Sequence, residues 1–316
     1  MVSHDQAGHH GATDLTLYSP SGLLTAAAPL KLAVRRLGEL GFAVSVDEAA
    51  RARRQRFAGD DATRLEAIHR VGRKAPSIAM GTRGGYGMTR LLDAIDWKLV
   101  ARSIAQGTRW VGHSDLTVLQ LGLLAHAAGI TWAGPMACYD FGREAGEHGE
   151  SPLGGVDEIT AACFVEAMGG ELEAVGFRTE PGFDGLAVRG VLWGGNLCMV
   201  SSLLATAHFP KIRSGVLFLE DVNEHPYRVE RSLLQLHQAG VLDAQKAVVL
   251  GAFSDWRKSP HDHGYDMKSV VRHLRALTKT PILTGLPFGH VPTKVCLPVG
   301  ARVTLLVNGR EVLIGW

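Results

Sequence analysis

The chain has 316 residues, 46% hydrophobic and 20% charged, enough apolar material for about two domains with ordinary cores. Lys+Arg 33 against Asp+Glu 31 leave a formal charge of +2, which excludes a global field drawing the protein to nucleic acid or to a membrane surface. No stretch of 18 apolar residues offers a transmembrane helix, and the first cation, Lys31, comes too late for the charged start of a secretory signal.

In chain order, residues 1–12 (MVSHDQAGHHGA) read as a loose, His-bearing tail. DLTLYSPSG predicts a strand and a turn, and an apolar stripe over 24–40 predicts a helix that stops at Gly41. FAVSV (42–46) is a strand, and a polar helix follows over 61–73. SIAM (77–80) is a strand that opens into the glycine turn GTRGGYG. WKLVARSIAQG is a helix, TRWVG (108–112) a strand, and a helix runs from Asp115 to Ala128. This alternation predicts a parallel sheet with helices on its faces. The Gly- and charge-rich stretch 140–156 reads as a linker or loop, with a helix near 157–168. Beyond 186 the rhythm turns to short strands (LAVRGVLWGG, VLFLEDV, AVVLGAF, PILTGLPF, RVTLLV, EVLIGW) with helices near 197–206, 227–239 and 266–278. The expected fold is therefore α/β. An N-terminal parallel-sheet domain of Rossmann or flavodoxin type covers 13–150, a linker and connecting helix 151–185, and a β-rich domain with helices 186–316. Cys138, Cys163, Cys198 and Cys296 are widely scattered in mostly apolar contexts and read as buried free thiols of a reducing compartment. No CxxC occurs, which argues against a cysteine-built zinc site.

Ser114 is the candidate nucleophile. In WVGHSDLTVL a buried strand ends at Gly112 and a helix begins at or just after Ser114, so its hydroxyl projects from the carboxyl edge of the sheet, where ligands of open α/β sheets bind. The amide of Asp115 then lies at the first turn of the helix, where an oxyanion would form. Leu116 stands where a GxSxG elbow has its last glycine, and a simple helix cap is the competing role for Ser114. His113, adjacent in sequence, is poorly placed as its base. His290, in the Gly/Pro-framed loop GLPFGHVP, is the candidate base, and Glu220, at the end of the apolar strand in GVLFLEDVNE, is the candidate orienting acid. Asp221 and Glu224 are its rivals; both also suit the start of a helix at Pro226. TRGGYG (82–87) and WGGN (193–196) are turns that let backbone approach a ligand, with Asn196 as a polar candidate beside it. HDH (261–263) lacks further ligands at metal spacing and reads as a solvated loop. Arg83, Arg228 and Lys294 are candidates to hold a substrate carboxylate.

Six segments in order resemble one family, the LD-carboxypeptidases or muramoyltetrapeptide carboxypeptidases: RGGYGMTRLLDAIDW (83–97), VGHSDLTVLQLGLL (111–124), GPM (134–136), GGNLCMVSSLLAT (194–206), LFLEDVNEHPYRVERSLLQL (217–236) and GLPFGHVPTKVCLPVG (285–300). The resemblance implies a parallel α/β domain, a β-rich domain and a site between them. It also implies a catalytic Ser114, Glu220 and His290, and an oxyanion hole from Asp115 with Gly84 and Gly85. The implied reaction is metal- and cofactor-free release of terminal D-alanine from murein tetrapeptide, in peptidoglycan recycling by a cytoplasmic homodimer with no nucleic-acid or membrane partner. His113, Asn223 and Val291 depart from the commoner residues of the family. Two other functions are compatible with the pattern: an amidase that detoxifies a peptidyl-nucleotide antibiotic, and a non-catalytic ligand-binding protein.

Overall fold

A computed structural model describes residues 12–127, 129–144 and 155–316. Nearly all of the expected N-terminal tail, and most of the expected loop over 140–156, lie outside these residues.

The first half follows the predicted alternation. It runs β1 (Thr13–Tyr18), α1 (Ala28–Glu39), β2 (Phe42–Val46), α2 (Asp61–Lys74), β3 (Ile78–Gly81), α3 (Trp97–Ala105), β4 (Arg109–Gly112), α4 (Thr117–His126) and β5 (Thr131–Ala133). β3 is buried throughout and β4 nearly so, as central parallel strands are. The helix starts have local causes: Asp60 and Asp96 accept hydrogen bonds from Thr63 N and Leu99 N at the first turns of α2 and α3. α4 is buried from Thr117 to Leu123 because it packs between the two halves of the molecule. The strand order is β2-β1-β3-β4-β5, all parallel, the flavodoxin-type arrangement. The order reverses between β1 and β3, so the carboxyl ends of those strands leave a crevice.

The second half runs α5 (Glu158–Gly169), β6 (Ala174–Arg178), β7 (Ala187–Asn196), α6 (Leu197–Ser202), β8 (Val216–Val222), α7 (Pro226–Gln238), β9 (Ala247–Ser254), α8 (Met267–Leu277), β10 (Ile282–Thr284), β11 (Leu297–Val299), β12 (Arg302–Asn308) and β13 (Glu311–Gly315). Its sheet is mixed: β10-β9-β8-β7 are parallel, then β12, β13 and β6 continue antiparallel. Two strands cross the boundaries expected from sequence. β6 lies within the segment read as linker and connecting helix, yet it forms the sheet edge on β13. β11 leaves the second half and pairs antiparallel with β5, closing the first sheet. One continuous apolar cluster accordingly holds Leu15, Phe164, Phe218 and Val303 together. Among the described residues no helix is long and apolar enough to cross a membrane.

Candidate active site

Ser114 sits on the turn between β4 and α4 with φ of +63°, a left-handed conformation that a residue with a side chain adopts at some cost. The strain turns the side chain out of the strand-to-helix path, as in a nucleophile elbow. Gly84 lies directly against it. A Cβ on Gly84 would stand 2.6 Å from Ser114 Oγ and 3.3 Å from the Asp115 amide nitrogen, so this position tolerates only glycine. Gly85 faces away, over Gly22. The Asp115 carboxylate does not face the cleft. It is buried and accepts from Ser21 Oγ and from Met88 N at 3.0 Å, tying the exits of β1 and β3 to the serine turn. Burial raises its carboxyl above the usual range, against those two hydrogen bonds.

The candidate acid and base come from the second sheet. Glu220 is fully buried near the end of β8, where the β8–β9 register slips between Leu219 and Asp221. Such a bulge re-aims side chains. Glu220 Oε2 accepts from His290 Nδ1 at 2.8 Å, and its Oε1 accepts from Asn196 Nδ2 at 3.2 Å. Asn196 stands opposite Glu220 in the β7–β8 register and also donates to Asp221 Oδ1 at 2.9 Å. Asp221 in turn accepts from Cys198 N at 2.9 Å, at the first turn of α6. Glu220 thus meets the imidazole, whereas Asp221 meets the start of α6 and not the helix at Pro226 expected from sequence. Burial, with the Glu220 charge beside it, pushes the Asp221 carboxyl up to about 6.

His290 is delivered by the loop after β10. Gly289, with φ of +138°, lets that loop lie on Glu220 and Ala252; a Cβ there would stand 3.2 Å from Glu220 Cβ. With Nδ1 donating to the carboxylate, Nε2 is left as the free acceptor. The nucleophile turn reaches the same ring: the His113 ring lies 4.9 Å from that of His290, edge to face, and Tyr139 edges both at 5.6 Å. Burial holds His113 well below the usual histidine range, helped by the charge of Lys294, so it is a neutral wall donating from Nδ1 to Gly134 O at 2.9 Å. Ser114 Oγ itself has no hydrogen bond to His290. A second tie joins the two sides: Asn196 N donates to Thr117 Oγ1 at 3.1 Å, linking the acid's partner to the first residue of α4.

Residues 15–134 match the model of the LD-carboxypeptidase N-terminal domain, and residues 189–305 that of the C-terminal domain. The chain belongs to the LD-carboxypeptidase family. It is a peptidase. Among relatives, it is similar to the murein tetrapeptide carboxypeptidase of Pseudomonas aeruginosa, at 28% identity over 88% of this chain and 89% of that protein. The probable murein peptide carboxypeptidase of Bacillus subtilis is also 28% identical, over 93% and 90%. The crystal structure of muramoyltetrapeptide carboxypeptidase from Oxalobacter formigenes superposes with a TM-score of 0.84 at 37% identity, covering 96% of this chain and 99% of that one. The microcin C7 self-immunity protein MccF in complex with aspartyl sulfamoyl adenosine shares the fold, with a TM-score of 0.82 at 21% identity over 96% of each chain.

The remaining sequence candidates in this peptidase separate by burial. Arg83 donates to Leu23 O at 3.2 Å and lines a cavity of ≈ 180 Å³ with Leu24, Pro29, Cys138 and Tyr139, next to Gly84. Arg228 is exposed, stacks on Tyr227 and lies 3.9 Å from Glu224. Lys294, read as a carboxylate binder, is instead fully buried. Its ammonium pairs with Asp140, donates to Val291 O at 2.7 Å and lies 5.3 Å over the Tyr139 ring, so no donor is left to face a substrate. Asn196 also changes role: it is buried, and its amide is committed to Glu220, Asp221 and Met199 N rather than to a ligand. All four cysteines are free, but Cys198 is exposed, because it lies on the outer side of the first turn of α6. Asp262 of the HDH segment accepts from Ser259 N and His225 Nε2. Among the described residues no cluster of His, Cys, Asp and Glu has the makings of a metal site. Tyr139, Thr117 and the Asp140–Lys294 pair escaped sequence reading; each matters through a partner far away in the chain.

Proposed function

We propose that this peptidase is a serine carboxypeptidase that releases terminal D-alanine from murein tetrapeptide by cleaving an L,D-amide bond. The observation that carries the reading is the 2.8 Å Glu220–His290 hydrogen bond, with the ring of His113, next to the strained Ser114, packed against His290. Ser114 Oγ attacks the carbonyl carbon as His290 Nε2 takes its proton. The oxyanion forms between the Asp115 amide and the Gly84–Gly85 turn; each such donor contributes roughly 3–4 kcal/mol in comparable hydrolases. The C–N bond then breaks, and His290 returns the proton to the departing amine of D-alanine. Water, deprotonated by the same imidazole, hydrolyses the acyl-enzyme. Glu220 holds the tautomer and stabilises the imidazolium. The serine–histidine hydrogen bond forms when substrate fills the cleft.

A carboxypeptidase must also hold a free carboxylate beside the scissile bond. Arg83 is the group suited to this: it precedes Gly84, and its small cavity with Leu24 and Pro29 fits the methyl group of alanine. Murein recycling in the cytoplasm is the setting this substrate implies. The test is Ser114→Ala. Release of D-alanine from murein tetrapeptide falls by about 10⁴-fold or more while the melting temperature stays near wild type. Full activity in that variant contradicts the assignment.

A further inference from the structure

The loop between β2 and α2 leaves the carboxyl edge of the first sheet, the same edge that carries Ser114. It contains RARRQRF (51–57), four arginines within six residues of a chain whose formal charge is only +2. All four are exposed. Arg54 pairs with Asp60 at 3.2 Å, whereas Arg51, Arg53 and Arg56 have no ion pair among the described residues. A tight hairpin fixes the loop: Arg54 N donates to Phe57 O and Phe57 N to Arg54 O, both at 3.0 Å, around Gln55 at φ of +54°. The hairpin is tied to the glycine turn beside Ser114. Leu23 N donates to Arg56 O at 3.1 Å, and the neighbouring Gly22 N donates to Gly84 O, also at 3.1 Å.

The Arg56 guanidinium stands over the ring of Tyr86 at 5.5 Å, and Tyr86, 41% exposed, ends the turn that begins at Arg83. Phe57 backs the Tyr86 ring at 5.9 Å and is itself covered by Arg64 at 4.8 Å. A guanidinium laid on a ring is held in orientation, and its N–H edge stays open to the two oxygens of a carboxylate. Among the described residues no acceptor occupies that edge of Arg56. Its charge reaches the Ser114 turn, for it is one of those that draw the Asp115 carboxyl down against burial. The turn Arg83-Gly84-Gly85-Tyr86 therefore has a guanidinium at each end. A peptide whose scissile carbonyl lies on the two glycines, with its terminal carboxylate at Arg83, turns its preceding residues toward Tyr86 and Arg56.

We infer that Arg56, oriented by Tyr86, binds a free carboxylate on the acyl side of the scissile bond and so selects acidic peptides over their amides. The inference rests on the murein-peptide reading of the active site. The test compares two tetrapeptides with the same diamino acid: in one the γ-linked D-glutamate keeps its free α-carboxylate, and in the other that group is a carboxamide. The kcat/KM for D-alanine release favours the acid roughly three- to tenfold, with the difference in KM, and the preference shrinks as salt is added. Arg56→Gln brings the ratio near one, Arg56→Lys keeps part of it, and Arg56→Glu takes it below one. The Arg56 side chain is exposed and the hairpin is closed by backbone bonds, so these variants keep the fold. A ratio near one in the wild type, or a wild-type ratio kept in Arg56→Gln and Arg56→Glu, overturns the inference. Release from both peptides without preference leaves the active-site reading standing; release from neither contradicts that reading and takes the inference with it.

Discussion

The two sheet edges that make the cleft are built differently. At the first, the Ser114 turn is held by contacts within its own sheet: Asp115 to Ser21 and Met88, and Gly22 N to Gly84 O at 3.1 Å. At the second, Glu220 is deeply buried and multiply bonded, but His290 rides on a loop. Among the described residues its side chain has one hydrogen bond, to Glu220, and the loop is pinned to the first half through Lys294 and Asp140. The first edge is therefore a rigid turn, and the second is a polar chain whose alignment depends on ties across the boundary. Damage to the first should remove chemistry without loosening the fold, whereas damage to the second should do both.

The largest effect expected at the second edge is on rate. Glu220→Gln keeps the size of the side chain but removes the charge and favours the wrong imidazole tautomer, so kcat for D-alanine release falls by about 10⁴-fold. A loss below tenfold would show that the buried acid does not serve the histidine. Next comes the tie between the halves. Lys294→Met strands the buried Asp140 carboxylate and lowers stability by about 3–5 kcal/mol in urea titration, with kcat falling as the His290 loop shifts. Adding Asp140→Leu recovers stability but not kcat; recovery of both would reduce the pair to a purely structural element.

The smallest effect is a slope. The Asp221 carboxyl, pushed up to about 6 from the usual 3.8, binds its proton more tightly folded than unfolded. That contribution is complete below about pH 4 and is lost as the pH rises through 6. Asp221→Asn removes the titration, so unfolding free energy measured from pH 4 to 7 falls for wild type relative to the variant by up to roughly 3 kcal/mol. Parallel curves for the two proteins would contradict the assignment.

What the sequence makes legible follows the same division. The βα alternation and the exit of β4 at Gly112 are local patterns, so the first sheet and Ser114 can be read from periodicity and glycine placement. LFLED and GLPFGH likewise mark strand ends. The missing pieces depend on distant partners. β11 is only Leu-Pro-Val, with no alternation to announce it, and exists because β5 offers an open edge. A lysine three residues after Val291 carries no sign that Asp140 waits beneath it, so Lys294 reads as a free cation. Asn196 looks like a ligand group in a glycine turn; only the β7–β8 register, which sets it beside Glu220, turns it into a support for the acid.

The central claim is that side chains from the two edges act as one catalytic unit. The direct measurement is kcat for D-alanine release by Ser114→Ala, His290→Ala and the double variant. If the unit exists, the double variant is no slower than either single one, because removing one member already forfeits the contribution of the other. Losses that multiply in the double variant would mean that the serine and the histidine work independently.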